Sequence, residues 1–250
     1  MDKDKKIGLS LVLPCFNEAQ NIPLLIKKIK EFEKNFQYPL EIIIVDGFSD
    51  DETQDLLKVE FDDLDPYIYK LILQNSRKGY GFDIKKGLSI SKMELLSWTH
   101  TDLQTDLNDV KKGFEIYLNN SEERKFIKGK RRGRAAIDTA LSIGMQIVSW
   151  IILGKYLDDI NAQPKLFERE FYEKNLVDQS PDDFSLDLHS LYMAKNNAYK
   201  IIDFEVDFSD RLYGEAKGGG GSLKNKILLI RRTFKYILEL SKIKRSYKSH

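Results

Sequence analysis

Cysteine is almost missing from this 250-residue chain. Cys15 is alone, so no intrachain disulfide can form, which fits a reducing compartment. Long apolar runs are missing as well. No stretch reaches the roughly 18 uninterrupted apolar residues that a membrane-spanning helix requires. The nearest, Ala140 to Gly154, contains Gln146 and Ser149 and is short for a span. Met1-Asp2-Lys3-Asp4-Lys5-Lys6 leads into no apolar run of signal-peptide length. Neither charge sign is in excess, with 40 Lys and Arg against 39 Asp and Glu, so net charge points to no partner. The one local scarcity is of acid. From Leu223 to His250, Glu239 is the single carboxylate among nine Lys and Arg, a composition suited to anionic lipid or nucleic acid.

Several short apolar runs are present, each followed by polar residues. Ile7 to Leu13, Leu40 to Val45 and Tyr69 to Leu73 read as buried strands, and Leu95-Leu96 leads a fourth. Between them lie helical patterns. Asn21 is placed to cap a helix whose Ile22, Leu25, Ile26, Ile29 and Phe32 share one face. Ser49 or Asp50 is placed to cap a short helix carrying Leu56 and Leu57. Gly79 and Gly81 open a third helix, and a fourth starts near Asn108. Four strand–helix alternations with short connections predict an α/β fold with a doubly wound, mostly parallel sheet.

In such sheets ligands bind beyond the carboxyl ends of the strands. Glu18, Asp46, Lys78 and Asp102 each stand directly after a buried run. Any one of them alone is an ordinary polar loop residue; four in order converge on one crevice. The densest stretch is Ser97-Trp98-Thr99-His100-Thr101-Asp102-Leu103-Gln104-Thr105-Asp106, which offers oxygen and nitrogen ligands for a nucleotide and a metal.

The second half is less regular. Phe126-Ile127 predicts a short strand ending at Gly129, followed by Lys130, Arg131, Arg132 and Arg134 on the same crevice edge. These are either a solvated charge run or a phosphate grip. Ala135 to Leu157 reads as one or two very apolar helices. Asn161 to Phe167 reads as an edge strand limited by Pro164. Phe184 to Ala194 reads as a helix with Asp187 toward the cleft, and Ile201 to Phe208 as a period-two strand. Gly218 to Ser222 reads as a flexible loop. Beyond it Ile227, Leu228, Ile230, Phe234, Ile237 and Leu238 interleave with basic residues, as in a helix that lies on a membrane or on the protein's own core. The tail has few aromatics for stacking bases, so nucleic acid is not an expected partner.

The order of motifs resembles the family 2 glycosyltransferases of GT-A fold, and most closely the dolichol- or polyprenyl-phosphate sugar synthases. Leu13-Pro14-Cys15-Phe16-Asn17-Glu18 is similar to their first-strand signature. Val45 to Thr53, Lys78-Gly79-Tyr80-Gly81, and His100-Thr101-Asp102-Leu103-Gln104 follow in the family's order. So do Gly129-Lys130-Arg131, Asp159 to Gln163, and Arg211 to Lys217. The ordered set covers about Ser10 to Lys217.

The resemblance implies inverting transfer of a sugar from a nucleotide sugar. Pro14, Phe16, Glu18, Asp46, Lys78 and Gly79 would border the nucleotide. Asp102 and Gln104, with His100, would hold Mg²⁺ or Mn²⁺ against the diphosphate. Lys130, Arg131, Arg134, Arg211 and Lys217 would grip an acceptor phosphate. Two residues depart from the pattern. Gly47 replaces the second nucleotide-motif aspartate, and His100 replaces the first metal aspartate, where imidazole suits softer metals than Mg²⁺.

The reading is thus a GT-A domain over 1–217 and a glycine loop with a membrane-surface basic helix over 218–250. Within the domain, 1–107 is the nucleotide-binding half and 108–217 the acceptor half. The expected acceptor is a polyprenyl phosphate at the cytoplasmic face of a membrane, which needs no general base because its oxygen is already ionised. An alternative is a hydroxyl of a polysaccharide or lipid core, with Asp187 as base. Another is a nucleotide-sugar-binding protein without catalysis.

Overall fold

The computed structural model describes residues 7–133, 136–209, 211 and 223–246, and their side chains except those of 136–138, 140, 141, 223–226 and 243–246. Arg134 and Lys217, both expected at an acceptor phosphate, and the glycine loop lie outside the described residues.

Seven strands form one sheet: β1 (Leu9–Cys15), β2 (Leu40–Asp46), β3 (Tyr69–Leu73), β4 (Leu95–Trp98), β5 (Lys125–Arg132), β6 (Lys165–Glu168) and β7 (Lys200–Asp207). Their order is β3-β2-β1-β4-β6-β5-β7. β1, β2, β3 and β4 pair in parallel, as do β5 and β7, while β6 runs antiparallel to both of its neighbours. β1 and β2 are buried along their full length, which is why both read as continuous apolar runs instead of alternating ones. β6 is an interior strand, not the edge strand expected from Pro164. The proline precedes the ladder, and its carbonyl accepts from Gly129 N at 2.9 Å, so the missing N–H costs nothing.

Helices α1 (Ile22–Asn35), α2 (Thr53–Asp62) and α4 (Leu107–Asn119) cover one face of the sheet. Helices α3 (Tyr80–Ile90), α6 (Arg169–Asn175) and α7 (Leu186–Asn196) cover the other. On that second face α5 (Ala136–Leu153) and α8 (Leu223–Ser246) pack against each other. Two of the expected caps are made differently. Asn21 has no capping bond and instead donates to Glu18 at 2.5 Å, and Ser49 Oγ donates to Asp46 at 2.5 Å. Asp106, by contrast, caps α4 through Asn108 N at 2.9 Å. Docking of α8 rests on Ile237 and Leu240, both buried, and on a 2.6 Å hydrogen bond between Tyr236 Oη and His189 Nδ1 of α7.

β5 is longer than its apolar residues suggested. Lys128, Lys130, Arg131 and Arg132 belong to the strand, so they alternate between its faces instead of forming one cluster in a loop.

Candidate active site

The carboxyl ends of β1, β2 and β4 bring Phe16, Glu18, Asp46 and Asp102 to one edge. Backbone strain collects there. Of six non-glycine residues with positive φ among those described, Asn17 (54°), Phe48 (69°), Leu103 (60°) and Asp159 (37°) flank this edge. Such conformations cost about 1–3 kcal/mol each and persist where the surroundings fix them, as binding loops require.

Asp46 is fully buried and organises its own loop. Its carboxylate accepts from Phe48 N at 3.1 Å, Ser49 N at 3.0 Å, Ser49 Oγ at 2.5 Å and Gln54 Nε2 at 2.6 Å. Ser49 Oγ in turn accepts from Asn17 N at 2.8 Å, which ties the β1 and β2 loops together.

The Gly47 departure has a structural counterpart that the sequence did not reveal. A Cβ built at Gly47 would lie 2.3 Å from Arg77 Nη1 and 2.4 Å from Asp83 Oδ2. The place of a second aspartate is therefore filled by the Arg77–Asp83 pair, whose separation is 3.1 Å. Arg77 also donates to Gly47 O at 3.2 Å and lies 3.8 Å over the Phe16 ring. Burial raises the Asp83 carboxyl to about 7 against the pull of Arg77. Its Oδ1 is buried without a hydrogen-bond partner.

Gly79 caps α3 with φ 129°, and a Cβ there would meet Asp182 O at 2.4 Å, so this glycine serves close packing against the 181–183 loop. Lys78 Nζ rests 4.5 Å over the Phe82 ring. Pro14 O accepts from Thr101 Oγ1 at 3.1 Å, joining β1 to the stretch after β4.

Asp102 Oδ1 accepts from Gln104 N at 3.2 Å, and its Oδ2 stands 3.7 Å from Arg211 Nη2. The same guanidinium donates to Glu18 Oε1. Burial raises the Glu18 carboxyl above its ordinary value, with Arg211 opposing. Gln104 turns its amide to Ser209 O at 3.0 Å. Burial lowers the His100 imidazole against the pull of Asp102 and Asp187, so the ring is neutral at pH 7. Among the described residues no three His, Cys, Asp or Glu side chains converge as a ready-made metal cage.

Three more sequence-predicted residues are already engaged. Arg131 donates to Asp159 through its backbone N at 2.8 Å and its guanidinium at 2.5 Å. Burial pushes the Asp159 carboxyl up, but these bonds and the charge of Arg131 outweigh it and hold it below its ordinary value. Lys130 pairs with Asp158 at 2.9 Å on the opposite face of β5. Asp187 is buried and accepts from Lys165 Nζ at 2.5 Å, Gln163 Nε2 at 2.9 Å and Trp98 Nε1 at 3.3 Å. Sequence reasoning missed Lys165, Arg77 and Asp83. A lysine inside the apolar strand Lys165-Leu166-Phe167 was a usable signal, because a buried ammonium needs a carboxylate partner. Nothing local marked the other two.

The family model described as glycosyl transferase family 2 matches residues 10–129. The chain is 22% identical over 253 residues to a dolichyl-phosphate beta-glucosyltransferase of Dictyostelium discoideum, covering 95% of this chain and 77% of that protein. It is 24% identical to the dolichyl-phosphate beta-glucosyltransferase of Homo sapiens, covering 81% of this chain and 67% of that protein. With an undecaprenyl-phosphate 4-deoxy-4-formamido-L-arabinose transferase of Yersinia enterocolitica it shares 23% identity, over 86% of this chain and 65% of that protein. Among solved structures, glucosyl-3-phosphoglycerate synthase from Mycobacterium tuberculosis in complex with uridine-diphosphate superposes with a TM-score of 0.73 at 15% identity. That superposition covers 94% of this chain and 80% of that one. The fold is therefore that of the GT-A glycosyltransferases. Residues 10–129, which hold β1 to β4 and the crevice at their carboxyl ends, are the part of the chain that matches the family 2 glycosyltransferase model.

Proposed function

We propose that this protein transfers a sugar from a nucleotide sugar to a polyprenyl phosphate, with inversion, while resting on the cytoplasmic face of a membrane. The observation that carries the lipid half of this reading is the inverted polarity of α5. Its polar Gln146 and Ser149 are buried, whereas Ile143, Ile147, Trp150 and Ile151 are exposed. A helix with its polar side inward and its apolar side outward suits a hydrocarbon boundary, not water. α8, packed beside it, exposes Ile227, Leu228, Phe234 and Leu238 together with Arg231 and Lys235. No helix among the described residues is long and apolar enough to cross a membrane, so contact would be with one leaflet. The relatives named for dolichyl and undecaprenyl phosphate support the same acceptor class. Cys15, buried and unpaired, accords with a reducing cytoplasm.

The donor would lie along Phe16, Asp46 and the Arg77–Asp83 pair, with its diphosphate toward Asp102. Asp102 keeps unused lone pairs, and Mg²⁺ sites commonly combine one or two carboxylates with substrate phosphates, so the residues present fit a divalent cation. Asp102 would hold it, and neutral His100 beside it would favour Mn²⁺ over Mg²⁺. When bound, the cation would neutralise charge on the departing nucleoside diphosphate.

A phosphate acceptor is ionised at neutral pH and needs no proton removed before it attacks. This agrees with Asp187, the expected base for a hydroxyl acceptor, being consumed by Lys165, Gln163 and Trp98. Arg211 and Arg131 would exchange part of their carboxylate contacts for the acceptor phosphate, Arg211 from Glu18 and Asp102, Arg131 from Asp159. The test is incubation of purified protein with nucleotide sugars and polyprenyl phosphate in detergent. Lipid-linked sugar is the expected product. Sugar transferred only to a soluble glycan would overturn the reading.

A further inference from the structure

On the second face of the sheet, behind β5, lies a cavity of about 360 Å³ whose charged lining is four lysines, Lys128, Lys155, Lys195 and Lys200, against two aspartates, Asp158 and Asp203. Both carboxylates already have cations. Asp158 is paired with Lys130 at 2.9 Å, and Asp203 lies 3.2 Å from Lys128. Lys128 is only 1% exposed. Lys155 and Lys195 are held by carbonyls: Lys155 Nζ donates to Lys195 O at 3.4 Å, and Lys195 Nζ donates to Tyr156 O. Positive charge is therefore in surplus inside a concave space. Burial lowers the Lys195 ammonium below its ordinary value; Asp203 and Asp158 oppose this, and Lys128 and Lys155 add to it. Lys128 and Arg131 sit on opposite faces of β5, so this cavity is separate from the side where Arg131 meets Asp159 and would meet the acceptor phosphate.

The surroundings indicate the source of the anion. Lys155 follows Leu153, the last residue of α5, by two residues, and the Tyr156 carbonyl that holds Lys195 belongs to a half-exposed aromatic. Trp150 and Ile151 are 59% and 73% exposed just before it. Lys195 Nζ lies 5.9 Å from the centre of the Tyr156 ring, and lysines close to exposed aromatics after an apolar helix suit a bilayer surface, where acyl chains give way to phosphates.

We infer that the cavity binds the phosphate of an anionic lipid headgroup, distinct from the acceptor phosphate, and fixes how the enzyme is seated on the membrane. The site rests on the membrane reading above, and the experiment separates the two. Flotation with phosphatidylcholine vesicles, with and without phosphatidylglycerol, would compare wild type with three variants: Lys155→Gln/Lys195→Gln, the charge-matched Lys27→Gln/Lys30→Gln on α1, and Trp150→Asp. Lys155→Gln/Lys195→Gln should lose at least about tenfold of the affinity gained from phosphatidylglycerol, the size expected for two lysines near an anionic surface. Turnover on detergent-solubilised acceptor should be unchanged. Lys27→Gln/Lys30→Gln should keep the gain, and Trp150→Asp should lose binding to both kinds of vesicle. Equal losses in the two lysine pairs, or none in Lys155→Gln/Lys195→Gln, would overturn the site. So would binding of inorganic phosphate or glycerol 3-phosphate by calorimetry that Lys155→Gln/Lys195→Gln removes while its vesicle affinity stays at wild type. Loss of the phosphatidylglycerol gain with Trp150→Asp still binding would sink the apolar seating and leave the headgroup site standing.

Discussion

Arg211 donates a hydrogen bond to Glu18, 193 residues earlier in the chain, and the same nitrogen stands 3.7 Å from Asp102. One guanidinium thus joins the loop after β1 to the loop after β4, with two carboxylates and a cation at the centre of the crevice. An arriving phosphate would compete with both carboxylates for it. Arg211→Ala should raise the KM for polyprenyl phosphate by about 10- to 100-fold, the range of a hydrogen bond to a charged group. Binding of the nucleoside diphosphate, measured by calorimetry, should change far less. An unchanged acceptor KM would remove Arg211 from the acceptor site.

In the proposed reading Asp102 is the carboxylate that faces the donor diphosphate. Asp102→Asn preserves shape but removes the charge, and it should lower kcat by at least about 100-fold, as loss of a transition-state charge contact does. Thermal unfolding should stay close to wild type, because the residue makes one 3.2 Å hydrogen bond to Gln104 N and a loose contact to Arg211. Turnover at the wild-type rate would rule out the assigned role.

Asp83 should leave a mark on stability against pH. Its carboxyl is raised to about 7 in the folded state by burial, against 3.8 for an unperturbed aspartate. Between these values the folded protein binds more protons than the unfolded chain, so the contribution of Asp83 is fully present below pH 4 and lost as pH rises through 7. Asp83→Asn cannot ionise. Chemical denaturation of both proteins from pH 4 to pH 8 should find wild type losing stability relative to the variant, with no further divergence above about 7.5. Parallel curves would mean that Asp83 is ionised throughout.

Lys165 and Asp187 form a buried pair, with side chains 0% and 2% exposed. Removing one partner leaves an uncompensated charge, so Lys165→Met should cost about 3–5 kcal/mol in urea unfolding. Lys165→Met/Asp187→Leu should recover part of that loss. If Asp187 is structural, as its three donors suggest, the double variant should also keep measurable turnover. Complete inactivity of a folded double variant would return Asp187 to the list of catalytic candidates.

The strands and their polar ends were readable in the sequence because full burial needs continuous apolar runs, and such runs leave a local pattern at β1 and β2. Strand β7 was readable for a different reason: only one of its faces is buried, with Phe204 and Val206 inward, so its apolar residues alternate. Glu18, Asp46 and Asp102 could be brought together from sequence, because parallel strands joined by right-handed crossovers place their carboxyl ends on one edge. What α5 presents to its surroundings was not readable. An apolar helix with two polar residues gives the same pattern whether those residues point in or out, and only packing against α8 and the sheet decided that Gln146 and Ser149 face inward.

The layered α/β architecture and the positions of the candidate ligands follow from local periodicity and from chain order. Tertiary structure alone decided the charge partners. Arg77 and Asp83 fill the space left by Gly47, Lys165 takes up Asp187, and Arg211 meets Glu18 across nearly the whole chain. Such pairings depend on which side chains share a low-dielectric space, and distance along the chain carries no information about that.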